Sequence, residues 1–230
     1  NCWKSVGDIQ SHMLNFLENH DEQRLASTFY AGSGIKGKAA ATVSACMNTN
    51  PFMLYFGQEF GEQGMDEEGF SGIDGRTTIF DYWAVPTIRA WRANGTYNQA
   101  ALSKEQKNIY SFYKKLLLLC RNEKALKQGR FFDVMYVNDQ NPEFDAQHLY
   151  AFIRQSGNEA LFIVANFSEQ SKEAGIIIPQ HAFDFLGIPA ATYEAKNLFS
   201  GKRQKITLTP DKTIHVKIKP FDATLLKITF

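Results

Sequence analysis

Leu14-Asn15-Phe16-Leu17-Glu18-Asn19-His20-Asp21-Glu22-Gln23-Arg24 is the stretch on which the reading of the fold turns. The apolar residues from Met13 to Leu17 have the bulk and length of a strand, and the run ends abruptly in an amide, an imidazole, two carboxylates and a guanidinium. Polar clusters of this kind collect at the carboxyl ends of parallel strands, where α/β barrels and sheets keep their binding groups. A plain polar loop is the alternative, because strand ends are commonly polar.

Outward from this stretch, the Ala-rich segment Gly37 to Met47 predicts a helix, and Phe52 to Phe56 predicts a second strand. Asn48-Thr49-Asn50-Pro51 stops the helix, since the residue before a proline is pushed out of the helical region. The order is β, α, β. A longer helix follows, opened by Ser103 with Gln106 three residues on, and carrying an apolar stripe of Ile109, Phe112, Tyr113, Leu116, Leu117 and Cys120. Two such units cannot bury both faces of a parallel sheet, so they read as part of a barrel or a doubly wound sheet.

Beyond residue 128 the helical period gives way to β-rich segments: Phe131 to Val137, His148 to Arg154, Ala160 to Asn166, Glu173 to Ile178, Thr192 to Asn197, Gln204 to Leu208, Thr213 to Ile218 and Ala223 to Ile228. Thr213 to Lys219 alternates cleanly, with Ile and Val on one side and Thr, His and Lys on the other, as on a sheet with one wet face. Gly157-Asn158, Ser200-Gly201 and Pro210-Asp211 supply turns. An antiparallel β-sandwich of about eight strands is the natural closure.

The composition narrows the function classes. Of 230 residues, 25 are Lys or Arg and 24 Asp or Glu, so the net charge of +1 speaks against a nucleic-acid partner or an anionic membrane surface. The longest apolar runs are far too short for a membrane span. Cys2, Cys46 and Cys120 are widely spaced with no zinc pattern, and are expected to be buried reduced thiols. His148, His181 and His215 are isolated and read as structural. Gly32-Ser33-Gly34 and Gly37 form no phosphate fingerprint and read as loop hinges. His20, Asp21 and Glu22 are all potential metal ligands, but consecutive residues of an extended chain point to opposite sides, so no metal is expected there. Asn1 to Gly7 carries no export signal, which says nothing of compartment if the chain begins inside a longer protein.

Phe16-Leu17-Glu18-Asn19-His20-Asp21 resembles the signature at the seventh barrel strand of the α-amylase family, glycoside hydrolase family 13. About thirty residues later, Pro51-Phe52-Met53-Leu54-Tyr55-Phe56-Gly57-Gln58-Glu59-Phe60-Gly61 resembles that family's eighth strand and the turn after it. Asp74 to Trp83 is similar to a loop before the last barrel helix in α-amylases of the polysaccharide-degrading Bacteroides type, and the β-rich tail occupies the place of their C-terminal sandwich.

The resemblance implies the last two β/α units of a TIM (β/α)8 barrel over residues 1–125 and a C-terminal β-sandwich domain over residues 126–230. It implies a parent that cleaves α-1,4-glucans such as starch and maltooligosaccharides with retention. Asp21 would be the carboxylate that favours the oxocarbenium-like state without being nucleophile or proton donor, and His20, Asn19 and Arg24 would bind substrate. Arg24 would either help to hold Asp21 charged or face solvent. The family's nucleophile and acid/base come from its fourth and fifth strands, and no Gly-x-Arg-x-Asp-type strand occurs in this chain, which is therefore expected to be inactive alone.

Glu59 and Glu62 are read as loop residues, with Glu59 accepting backbone N–H bonds; Asp66, Glu67 and Glu68 as a solvated run; Arg76 as an ion-pair anchor between Asp74 and Asp81; and Tyr82, Trp83, Trp91 and Tyr97 as packing more than sugar-stacking aromatics. No cofactor is expected in this chain, any calcium of the parent being held upstream, and Phe52 to Phe56 offers no basic residue for chloride. The open barrel edges predict that the barrel part is stabilised by self-association or is partly disordered. The parent's compartment stays open, with secretion, the periplasm or the cell surface of a bacterium as the expectation. The alternative class is a non-catalytic carbohydrate-binding or structural module.

Overall fold

The computed structural model describes residues 7–66, 72–80, 84–210 and 212–230, which fall into two compact units. One comprises the chain up to Ala45 and Asn50–Leu117, the other Cys46–Thr49 and Leu118–Phe230.

In the first unit the two expected strands meet as one isolated parallel bridge between Asn15 and Phe52. Asn15 N donates to Pro51 O at 2.9 Å, and Met53 N donates to Asn15 O at 2.8 Å. Helix α1 (Lys38–Cys46) lies between these segments in sequence, so the β-α-β order holds while the ladder is far shorter than the apolar runs suggested. Parallel strands need neighbours and covering helices to extend. A 3₁₀ turn over Gly34–Gly37 leads into α1 and is capped by Ser33, whose Oγ accepts from Ile35 N at 3.2 Å. Gly34 is a packing residue here, not a hinge: a Cβ on it would stand 2.8 Å from Ile109 Cδ1 and 3.0 Å from Gly61 Cα.

Helices α2 (Pro86–Arg92) and α3 (Lys104–Asn122) follow. The apolar stripe of α3 is buried at Ile109, Phe112, Tyr113 and Leu116. Its start is a closed capping box, with Gln106 N donating to Ser103 Oγ at 3.1 Å and Ser103 N to Gln106 Oε1 at 2.7 Å. Phe60 stacks on Tyr110 with ring centroids 5.4 Å apart and also touches Trp91, which in turn meets Tyr97 edge-on. Trp91 and Tyr97 thus meet each other, and Tyr97 remains exposed. Cys2, Glu67, Glu68, Asp81, Tyr82, Trp83 and Asp211 lie outside the described residues.

The second unit contains α4 (Lys124–Gln128), β1 (Arg130–Asp133), α5 (Met135–Asn138), β2 (Leu149–Ser156), β3 (Glu159–Asn166), β4 (Lys172–Ile176), α6 (Gln180–Leu186), β5 (Ala191–Asn197), β6 (Arg203–Leu208), β7 (Ile214–Ile218) and β8 (Ala223–Thr229). One sheet runs β1-β2-β3-β8-β5-β6 and a smaller one pairs β4 with β7, all antiparallel. Register places Ile153 opposite Phe162 and Phe162 opposite Leu226, and these three join Ala174, Val216 and Ile218 of the smaller sheet in one apolar core. On β7, Ile214, Val216 and Ile218 are buried and His215 and Lys217 exposed, as the alternation required.

Two departures have local causes. The expected strand Phe131 to Val137 stops at Asp133, whose Oδ1 accepts from Met135 N at 2.7 Å and turns the chain into α5. Helix α6 after Pro179 was not foreseen; it buries Ala182, Phe183 and Leu186 at helical spacing inside a region otherwise patterned for strands.

Candidate functional site

The polar cluster that ends the Asn15 segment is organised by a buried ion pair. Arg24 Nη1 donates to Glu18 Oε2 at 2.8 Å, and Glu18 Oε1 accepts from Leu25 N at 2.9 Å. The other two nitrogens of the guanidinium also donate: Nε to Thr77 Oγ1 and Nη2 to Phe56 O, both at 2.8 Å. Its carbon lies 4.2 Å from the centre of the Tyr55 ring, and Tyr55 Oη donates to Thr77 O at 2.7 Å. Burial pushes the Glu18 carboxyl up, against the pull of Arg24 and the Leu25 N–H. Burial likewise pushes the Tyr55 hydroxyl up.

This corrects the expectation for Arg24. It is 0% exposed and bound to Glu18, so it neither faces solvent nor reaches out as a substrate contact. Nothing in a polar run singles out one arginine as buried, because charged residues are rarely fully buried unless paired. Glu18 was the missed partner; its only signal is its position as the first acid after the apolar run.

Between the two paired residues, Asn19 Oδ1 accepts from Asp21 N and Glu22 N, each at 2.8 Å, which curls the chain into a turn. The turn is fastened by Arg24 N donating to Gly75 O at 2.7 Å and Gln23 Nε2 to Asp74 O at 3.2 Å. His20 and Asp21 project from it side by side, with Nε2 and Oδ2 3.5 Å apart and side chains 45% and 70% exposed, open to a ligand. The premise of an extended run therefore fails here: in the turn, consecutive side chains meet. Among the described residues no group of three or more His, Cys, Asp or Glu side chains is placed to hold a metal ion.

The other carboxylates of this unit serve the loops. Glu62 is buried, taking Thr87 N at 3.1 Å and Thr87 Oγ1 at 2.5 Å on one oxygen and Gln63 N and Gly64 N on the other. Glu59 accepts from the backbone N–H groups of Gly57 and of its own residue, and burial pushes its carboxyl up. Arg76 holds Asp74 through Nη2 at 2.7 Å. In the second unit His148, His181 and His215 lie beside Asp145, Tyr136 and Glu143 respectively. No described helix is long and apolar enough to cross a membrane.

An exposed carboxylate beside an imidazole can bind hydroxyl groups and oppose a growing positive charge, and it cannot by itself supply both nucleophile and proton donor.

No protein-family model matches the chain. A curated protein named Alpha-amylase 3, from Dictyoglomus thermophilum, is 29% identical over 212 residues, covering 88% of this chain and 38% of that protein. Among solved structures, AmyP in complex with maltose is similar at a TM-score of 0.62 and 17% identity, over 93% of this chain and 40% of that one. The trehalose-6-phosphate hydrolase of Bacillus licheniformis is similar at a TM-score of 0.58 and 20% identity, over 99% of this chain and 46% of that one. At these identities the structural likeness concerns the fold. This chain thus spans less than half the length of each of these three proteins, 38% of the curated one. By sequence the chain is similar to a protein named as an α-amylase, and by fold it is similar to less than half the length of solved α-amylase structures.

Proposed function

We propose that this chain is the C-terminal part of a retaining glycosidase of the α-amylase type that cleaves α-1,4-glucans, with residues 1–125 closing a (β/α)8 barrel as its last two units and residues 126–230 forming the C-terminal sandwich domain. The observation that carries the reading is the solvent-facing His20–Asp21 pair on a turn clasped by Glu18 and Arg24, directly after the segment bridged in parallel to Phe52. The Dictyoglomus relative's name and the maltose held by AmyP support an α-glucan as ligand.

In this reading His20 donates to sugar hydroxyls, Asp21 faces the ring as it flattens and gathers positive charge, and Asn19 shapes the turn that presents both. Arg24 is a positioning residue that acts through Glu18. The nucleophile and the acid/base belong to upstream barrel strands, as do the ligands of any calcium. Leu14, Phe16, Ile79 and Phe80 are large apolar residues exposed in the first unit, which supports self-association of the isolated chain, or coverage of these residues by upstream barrel segments in the parent.

The test compares two polypeptides acting on starch. The 230-residue chain should release no reducing sugar above a matched blank. The polypeptide extended upstream through the whole barrel should release it, and Asp21→Asn should lower that rate by about a hundredfold or more. Activity of the short chain, or indifference of the long one to Asp21→Asn, would overturn the reading.

A further inference from the structure

The second unit holds two thiols beside a buried arginine with no acid partner among the described residues. Cys46 ends α1 and is fully buried; Cys120 lies in the last turn of α3 and is partly exposed; neither is in a disulfide, and their thiols are hydrogen-bonded to each other. Arg154 on β2 is 1% exposed, which makes the question of its counter-charge unavoidable. Its Nη1 donates to Cys46 O at 3.2 Å and its Nη2 to Gly129 O at 2.8 Å, while Nε is buried with no hydrogen-bond partner among the described residues.

A buried cation is ordinarily matched by a carboxylate. Here the charge-bearing groups that act on it are the two sulfurs. Both cysteines sit at helix C-termini, where the backbone dipole disfavours a thiolate, so Arg154 supplies the field that favours one. The two thiols are not equivalent. The hydrogen bond from Cys46, together with Arg154, holds Cys120 below the usual thiol range, whereas the bond to Cys120 and complete burial hold Cys46 above it. The more accessible sulfur is thus the better nucleophile, and the sheltered one stands in hydrogen-bond contact behind it.

We propose that Cys46 and Cys120 form a disulfide within this chain, with Cys120 as the sulfur that attacks the oxidant and Cys46 as the one that resolves the intermediate. With a small disulfide such as oxidised glutathione, the Cys120 thiolate attacks one sulfur, the S–S bond breaks and one glutathione thiolate leaves. Cys46 then gives its proton to solvent and attacks Cys120 Sγ, expelling the second glutathione thiolate. Two protein thiols are oxidised to one disulfide, and one glutathione disulfide is reduced to two thiols. The cross-link would pin the short excursion Cys46–Thr49 to the end of α3 within the second unit.

The experiment uses the Cys2→Ser chain, so that Cys46 and Cys120 are its only thiols, incubated reduced and then with oxidised glutathione. The denatured product should react with no thiol reagent, weigh two hydrogens less, run as a monomer without reductant, and yield a peptide joining Cys46 to Cys120. A product that keeps both thiols, retains a glutathione adduct, or cross-links between chains overturns the disulfide. With Cys46→Ser added, Cys120 should take up glutathione; with Cys120→Ser added, Cys46 should not. The reverse pattern overturns Cys120 as the attacking sulfur.

Discussion

Arg24 and Glu18 stand six positions apart and bind each other across 2.8 Å, both shut away from water. The residues between them are those that face solvent as His20 and Asp21, so a buried pair closes an exposed turn. A surface pair could not do this, because water and side-chain entropy remove most of its worth. Inside the protein, the geometry is enforced by what it would cost to leave either charge alone.

Arg24→Met should therefore be strongly destabilising. The substitution strands the Glu18 carboxylate in an apolar setting and should lower the stability of the first unit by about 3–5 kcal/mol. Adding Glu18→Gln to it should recover a large part of that loss. Urea unfolding of the three variants measures this, and a single mutant within about 0.5 kcal/mol of the parent chain would mean that the pair is solvated.

The capping box of α3 offers a smaller and better isolated effect. Ser103→Ala removes the acceptor for Gln106 N, and should cost about 1 kcal/mol with no change elsewhere. A thermal melt followed by helical circular dichroism reads it. A loss above about 2 kcal/mol would point to a role for Ser103 beyond capping.

That cap was legible because a helix start is written locally, in Ser103 and Gln106 three positions apart. The stripe from Ile109 to Leu116 and the alternation along Ile214–Ile218 were legible for the same reason: period and burial coincide. Helix α6 was not, since its seven residues are too few to establish a period between two strands. Arg24 was not, since its partners Thr77 and Phe56 are brought to it only by the fold. The bridge at Asn15 was overread as a full strand because apolar composition signals burial, whereas a ladder depends on neighbours absent from the local sequence.

Lys227 gives a prediction in pH. Its ammonium bonds Glu123 and Glu159, and Glu159 also accepts from Ala125 N at 2.8 Å. Burial works against both shifts, but the bonds prevail: Glu159 is held below its usual 4.5 and Lys227 above its usual 10.5. A lowered carboxyl stabilises the fold above about 4.5 and that share is lost as the pH falls through the folded value; a raised ammonium stabilises below about 10.5 and is lost as the pH rises. Lys227→Met should cost about 1 kcal/mol at neutral pH and flatten both limbs. Unchanged limbs would show that other groups set them.

His20 and Asp21 should behave in the opposite way to the pair beneath them. The His20 side chain is about half exposed and that of Asp21 largely so, and Asn19 Oδ1 and the Glu18–Arg24 bond already define the turn without them. His20→Ala and Asp21→Asn should each leave the unfolding midpoint within the range of about 0.5 kcal/mol typical of surface changes. An exposed polar residue without structural duty is one whose hydrogen-bonding capacity is available to a ligand. If either substitution instead unfolds the first unit, the side chain is part of the scaffold and its assignment to sugar binding loses its physical basis. If both are silent in stability, calorimetry with maltooligosaccharides on the barrel-complete polypeptide should show affinity that falls about tenfold or more with each.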